Sequence, residues 1–341
     1  MGILPAIVYF CENERKNMFK DNEIVVSILC MTYNQEKYIA DAVESFLMQK
    51  TRFKYEIIIH DDASSDNTAS IIKKYERENP DVLKTIFQQK NQYSQGKDIL
   101  QDYMFPMAKG KYLALCEGDD YWTDEYKLQK QVEALEKNQQ CNVCAHAVSI
   151  VTSDKKKKIG EMAQGKEQSV FSVEKVILGG GGFVGTNSLM FTSEMFKNVP
   201  SFRKIYRIDY SLQIWGTLKG GMLYLPECMA AYRTMATSSW SLTMQQNPML
   251  KIQHYSKLIE MLNCLNEYTK GVYKPEIESI IQYQKYSIAL LESDYDNIIK
   301  GEYRAIFKKE PIINRLKVYI KKFFPWSIYI YKWRIKYARK K

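Results

Sequence analysis

The sequence predicts an α/β protein: a mostly parallel, mixed sheet flanked by helices, followed by a helical extension at the C-terminal end. Short apolar runs of strand length alternate with segments of helical period from Val25 to Asn138. Several of these runs end abruptly in polar clusters, as strands feeding a ligand-binding rim do. Beyond Pro248 helical periodicity dominates, with Ile252, Tyr255, Leu258, Ile259 and Leu262 in phase.

Taken in order, residues 1–23 read as an N-terminal extension. Val25–Met31 is a buried strand, and Glu36–Gln49 a helix with Ile39, Val43, Phe46 and Leu47 on one face. Tyr55–His60 is the second strand. Asp66 caps a helix that runs to Glu78 and stops near Pro80. Lys84–Gln88 is the third strand, Ile99–Met107 a short helix and Tyr112–Cys116 the fourth strand. Thr123, Asp124 and Glu125 suit the start of the helix Glu125–Asn138, because acids favour a helix N-terminus.

The pattern then changes. Asn142–Thr152 is a strand, Lys155–Lys158 a solvated turn, Gly179–Gly182 a flexible link and Thr186–Phe191 a strand. Asp209–Lys219 is helical, and Met222–Leu225 and Met229–Tyr232 are two short strands. These readings divide the chain into an α/β domain over 24–240, a helical segment over 241–310 and a basic tail over 311–341.

Charge has an address. The chain carries 49 Lys and Arg against 39 Asp and Glu. Residues 311–341 hold ten of the bases and no acid, so the rest of the chain is balanced. Ile312, Leu316, Tyr319, Ile320 and Phe323 share a helical face flanked by Lys317, Lys321 and Lys322. A basic helix with aromatic and aliphatic residues points to an anionic membrane surface, bound through residues 312–341, ahead of a plain packed helix with a solvated basic face and of nucleic acid. No apolar run approaches the ~20 residues of a spanning helix, and Ile3–Phe10 lacks the basic flank of a secretory signal. The expected location is cytoplasmic, peripheral on the inner face of the membrane. The seven cysteines do not read as a disulfide framework. Cys141 and Cys144, with His146 nearby, lack a fourth ligand for structural zinc, so reduced core cysteines are expected.

Three polar clusters carry the chemistry. They are Met31-Thr32-Tyr33-Asn34-Gln35-Glu36, His60-Asp61-Asp62-Ala63-Ser64-Ser65-Asp66 and Glu117-Gly118-Asp119-Asp120. Each by itself suits a helix start, a capped turn or a solvated loop. Together they place an aromatic ring, hydrogen-bonding carboxylates and a hard-oxygen site on one rim. A nucleoside diphosphate accounts for the set: Tyr33 stacks on the base, Asp62 accepts from base or ribose, and Asp119 suits Mg²⁺ or Mn²⁺.

The stretches VSILCMTYNQEKYI, EIIIHDDASSDNT and GKYLALCEGDDYW, in this order and spacing, resemble the family 2 glycosyltransferases of GT-A fold. EGDDYWTDEYKLQKQVEALE is similar to the bacterial polysaccharide-assembly members. The resemblance covers roughly residues 24–240 and implies roles. Asp119 matches the metal-binding acid of the family's DxD motif; Glu117 stands where the motif's first Asp usually does, and Asp120 adjoins it, with Gly118 between the acids. Tyr33 and Asp62 match the uracil-contacting positions, with Thr32, Asn34 and Asp61 beside them and Glu36 at a frequent acid near the nucleotide. The Pro that often precedes the Thr-Tyr-Asn is here Met31. Asp209 matches the catalytic base at a helix start, although Ile208 precedes it where an acid or Gly is usual. LPECMAAYRTMATSSWS resembles a further family segment, in which Arg233 offsets diphosphate charge and Trp240 lies in a closing loop. The implied reaction is inverting, metal-dependent transfer from a nucleotide-sugar donor, UDP by resemblance, to a glycan or lipid-linked acceptor.

Competing readings fit less well. A sugar-nucleotide pyrophosphorylase wants a Gly-rich loop with Arg and Lys after the first strand, and MTYNQEKY has none. A receiver-type signalling domain needs a Lys at a late strand end and far fewer residues. Against a catalytically silent nucleotide- or carbohydrate-binding protein stands only the base candidate Asp209.

Overall fold

The computed structural model describes residues 23–155, 157–234, 244 and 247–324. The chain divides into two compact units, Met1–Thr243 and Met244–Lys341.

The first unit is built on a ten-stranded sheet. Its opening half is β1 (Ile24–Thr32), α1 (Ile39–Leu47), β2 (Lys54–Asp61), α2 (Thr68–Glu78), β3 (Leu83–Phe87) and β4 (Tyr112–Leu115). β1 pairs in parallel with β2 and β4, and β2 with β3. β1 is central, and Val25 to Cys30 are fully buried, as a strand covered on both faces must be. Phe46 of α1 meets Trp122 edge to face at 4.8 Å between ring centroids, fixing that helix to the core.

The second half is mixed. β5 (Tyr121–Trp122) and α3 (Lys127–Lys137) lead to β6 (Val143–Thr152), β7 (Lys158–Met162), β8 (Ser169–Phe171) and α4 (Val173–Gly179). β9 (Met190–Thr192), α5 (Ser201–Ile205), α6 (Asp209–Thr217) and β10 (Met222–Thr234) complete the unit. The order across the sheet is β3-β2-β1-β4-β9-β6-β10-β5, with β7 on β6 and β8 on β10. β6 and β10 are parallel, whereas β9 runs antiparallel to both β4 and β6. The parallel expectation therefore describes the first half, and β9 joins it to the second.

Several details differ from the sequence reading. The two short strands around Pro226 are one strand, β10, with register shifts at Leu225–Cys228 and Cys228–Ala230. An extra residue in a bulge breaks the alternation without ending the strand. Ile99–Met107 is a π-type turn followed by a 3₁₀ turn rather than an α-helix. β7, β8, α4 and α5 are too short to show a period. The Lys155–Lys158 turn is not wholly solvated, because Lys155 pairs with Asp41 and lies 4.8 Å from the Tyr121 ring. Cys141 and Cys144 are buried free thiols.

The second unit holds α7 (Pro248–Tyr268), α8 (Lys274–Glu292), α9 (Tyr295–Ile299), α10 (Arg304–Lys309) and α11 (Ile312–Phe323). Tyr286, Ala289, Ile298, Phe307 and Val318 form its buried cluster. α11 contributes only Val318 to that core. Its apolar stripe faces outward: Ile312 is 72%, Leu316 50%, Ile320 46% and Phe323 59% exposed. Among the described residues no helix is long and apolar enough to cross a membrane.

Candidate active site

Parallel register brings the three polar clusters to one level. Thr32 is opposite Asp61, and Asp61 opposite Phe87. The ladder continues past the strands: Asp62 N–H donates to Thr32 O at 3.0 Å, Gly118 N–H to Met31 O at 2.9 Å, and Gln88 N–H to Asp61 O at 3.0 Å.

The first two clusters lock together. Asn34 adopts a positive φ of 52°, which an Asn tolerates. Its Oδ1 accepts from Ser65 N–H at 2.7 Å, and its own N–H donates to Ser64 Oγ at 2.9 Å. Glu36 accepts from Asn67 N–H and Nδ2 at 3.0 and 2.9 Å, so its carboxylate joins the loops together. Asp61 is buried and accepts from both donors of Ser64. Asp62 is buried too: its oxygens accept from Gln92 N–H at 2.7 Å and Tyr93 N–H at 3.0 Å. The Tyr33 ring is left 41% exposed, free to stack.

The third cluster is a tight turn, closed by Asp120 N–H donating to Glu117 O at 3.1 Å. Gly118 is required there, because a Cβ would lie 2.5 Å from Gln35 Oε1 and 2.8 Å from Thr32 Cβ. Asp120 is buried; its Oδ1 accepts from Arg233 N–H at 2.8 Å, and among the described residues its Oδ2 has no partner. Arg233 is fully buried as well. Its guanidinium donates to Asp119 O at 2.6 Å and pairs with Asp41, between the rings of Tyr38 and Tyr121. This Arg therefore braces the acid turn from beneath.

Asp209 opens α6, and Ile208 rather than Asp209 is the N-cap. Thr186 Oγ1 donates to Asp209 Oδ2, which aims the carboxylate. Burial raises the pKa of Asp209, with Thr186 and Arg203 opposing. Burial also holds Glu117 far above the usual carboxylate range, and the charges of Asp209, Asp119 and Asp120 add to it. Asp120 is pushed up by burial and then by Asp119. Burial raises Asp119, against its own backbone amide, Arg233 and a hydrogen bond from Gln35. The structure thus gathers Glu117, Asp119, Asp120 and Asp209 into one field, although Asp209 comes from a distant segment. Trp240 lies outside the described residues.

Among the described residues no three His, Cys, Asp or Glu side chains converge as a metal cage. The unpartnered Asp120 oxygen and the mutually repelling acids nevertheless fit a sparse site, in which one or two carboxylates share a Mg²⁺ or Mn²⁺ ion with phosphates.

The sequence reading missed Gln35, Asp41, Thr186 and Tyr93. Thr186 was read as strand, and Asp41 sits on an ordinary helix. The polar run Gln88–Gly96 after β3 carries a strand-end signal like the other three clusters, and Tyr93 lies in it.

The glycosyl transferase family 2 model matches residues 27–237, and the chain belongs to that family. The matched residues form a family 2 glycosyltransferase domain of GT-A fold. An uncharacterized protein of Mycobacterium tuberculosis is 37% identical over 218 residues, 63% of this chain and 60% of that protein. The chain thus spans about three-fifths of that relative's length. A UDP-Glc:α-D-GlcNAc-diphosphoundecaprenol β-1,3-glucosyltransferase of Escherichia coli is 37% identical over 112 residues, 33% of this chain and 41% of the enzyme. Among solved structures, Staphylococcus aureus TarS 1–349 with UDP-GlcNAc superposes with a TM-score of 0.58 at 15% identity, covering 87% of this chain and 81% of TarS. A Pyrobaculum calidifontis mannosyltransferase with GDP-Man and Mn²⁺ gives 0.54 at 12% identity, covering 95% and 90%. At such identities the likeness concerns the fold.

Proposed function

We propose that the chain is an inverting, metal-dependent glycosyltransferase that moves a sugar from a UDP-sugar to a hydroxyl of a glycan or lipid-linked acceptor in surface-polysaccharide synthesis. The observation that carries this is the grouping of Asp209 with Glu117, Asp119 and Asp120. Acids crowded together in a largely desolvated place are unfavourable unless protons or cations relieve them. The similarity to an enzyme named for UDP-Glc and a diphosphoundecaprenol-linked acceptor supports the choice of donor and acceptor.

Each residue then has a task. Tyr33 offers its exposed ring to the base. Asp61, Asp62, Thr32, Asn34 and Glu36 shape the nucleoside-binding loops. Asp119 holds a Mn²⁺ or Mg²⁺ ion, with Asp120 and Glu117 beside it. When bound, that ion supplies positive charge to the departing diphosphate. Asp209 accepts the proton of the attacking hydroxyl, and its raised pKa brings it nearer the working range of a general base. Arg233 contributes by bracing the acid turn, and Trp240 belongs to the segment assigned to donor closure. Single displacement at the anomeric carbon inverts configuration.

The outward stripe of α11 docks on the anionic inner face of the membrane, where each Lys or Arg contributes ~1 kcal/mol. Replacing Leu316 and Ile320 together by Glu then lowers co-sedimentation with phosphatidylcholine–phosphatidylglycerol vesicles by about tenfold or more. Unchanged sedimentation would remove the membrane from this reading.

Calorimetric titration of the full chain with UDP, GDP and CDP, with Mn²⁺ and with chelator, tests the donor site. Metal-dependent binding led by UDP is expected. Binding led by GDP would redirect the donor assignment, and no binding to any of the three by folded protein would overturn the nucleotide site.

A further inference from the structure

The loop after β3 has no task in the proposed chemistry, yet it is tied to the site at both ends. At one end Asp62 accepts the backbone N–H groups of Gln92 and Tyr93. Tyr103 Oη also donates to Gln92 Oε1 at 2.8 Å. At the other end Arg207, two residues before Asp209, donates from Nη1 to Gly96 O, and its Nε lies 3.7 Å from Asp98. Arg203 Nη2 is 3.5 Å from the same Asp98 oxygen. Both arginines belong to the segment that leads into the base-bearing helix.

Held between these ties is Tyr93. Its backbone is fixed, while its side chain is 58% exposed. An exposed aromatic ring on a backbone held by a buried carboxylate is a preorganised contact surface, since an ordered Tyr loses little freedom on binding. Partial desolvation, then the charges of Asp209 and Glu117, raise the Tyr93 hydroxyl pKa even though much of the residue is exposed. The hydrogen bonds thus hold the loop between Asp62 at the end of β2 and the segment that leads into Asp209. In a nucleotide-sugar the group lying between diphosphate and attacking hydroxyl is the pyranose.

We infer that Tyr93 contacts the transferred sugar of the donor and selects which hexose is accepted, with Asp62 and Arg207 acting as positioning residues for its loop. This rests on the donor-site reading above. It gives Asp62 a second duty, because both of its oxygens are already committed to the loop.

The test is calorimetry of the full chain with UDP, UDP-glucose, UDP-galactose and UDP-N-acetylglucosamine in Mn²⁺, comparing parent, Tyr93→Ala and Tyr93→Phe. The parent is expected to favour one sugar. Tyr93→Ala should keep UDP affinity within about twofold and lose about tenfold for the favoured UDP-sugar, levelling the three hexoses. Tyr93→Phe separates ring from hydroxyl: recovery assigns selection to the ring, and loss assigns it to the hydroxyl. Arg207→Ala should give the same pattern more weakly. An unchanged sugar preference in Tyr93→Ala overturns the inference, as does an equal loss for UDP and UDP-sugars. A parent that binds no nucleotide fails earlier and sinks the donor site itself.

Discussion

Desolvated carboxylates stand on both sides of the sheet's parallel half, at the amino and the carboxyl ends of its strands, and are treated in opposite ways. At the amino ends, Glu56 of β2 is 1% exposed and fully engaged. Ser27 Oγ donates to it at 2.8 Å, Lys109 N–H at 2.7 Å and Lys84 Nζ at 2.6 Å, while Gly110 N–H donates to Ser27 Oγ at 2.9 Å. This network pins three strands together. At the carboxyl ends, the neighbouring acids raise the pKa of Glu117 and Asp120, and among the described residues Asp120 Oδ2 has no partner. One end spends its carboxylate on stability; the other holds acids that repel their neighbours and leaves one oxygen open, as sites awaiting a charged ligand do. Lys127 is a third case. It is buried, with no acid partner among the described residues, hydrogen-bonded to Gln131 Oε1 at 2.7 Å and 4.0 Å from the Trp122 ring centroid.

The contrast can be broken at either end. Asp209→Asn should lower transfer by about 10³-fold while leaving nucleotide binding intact, since only the proton acceptor is removed. Full activity in that variant would reassign the base. Glu56→Ala should cost about 3 kcal/mol in urea unfolding, because it strands Lys84, Ser27 and Lys109 without their acceptor. A loss no larger than that of a surface substitution would show the amino-end network to be dispensable.

Lys127 sharpens the comparison through pH. Burial lowers its pKa from 10.5 to about 7, with Cys116, Cys144 and Asp124 opposing; it faces His146 on β6, which its charge in turn pushes down. A depressed folded-state pKa means that the stability is present above the unfolded value and is lost as pH falls toward about 7. Lys127→Met should therefore be more stable than the parent by about 2 kcal/mol near pH 6, with the gain fading toward pH 10. A pH-independent difference would indicate a packing effect instead. The smallest effect belongs to Glu117→Gln. Removing one repelling charge should raise folding stability by about 1 kcal/mol, even as transfer falls. Destabilisation there would mean that the acids are compensated after all.

Much of the site was legible beforehand because it lies at strand ends, where an apolar run meets a polar cluster in the sequence itself. Tyr33, Asp62 and Asp119 needed only that transition. Tyr93 had the same signal after β3, but its loop is longer and carries no carboxylate pair. Gln35, Asp41 and Thr186 were invisible, since each acts through a residue far away in the chain: Gln35 on Asp119, Asp41 on Arg233 and Thr186 on Asp209.

By itself the sequence determined the α/β class, the order of the opening strands along the chain, the acid turn around Gly118 and the basic C-terminal helix, because period, spacing and charge are local properties. Only the tertiary structure decided that β9 runs antiparallel between the halves, that Arg233 is buried beneath the acids, that Asp62 holds a loop and that the apolar stripe of α11 faces outward. Those outcomes depend on which surfaces meet, and pairing between residues remote in sequence leaves no periodic trace in the chain.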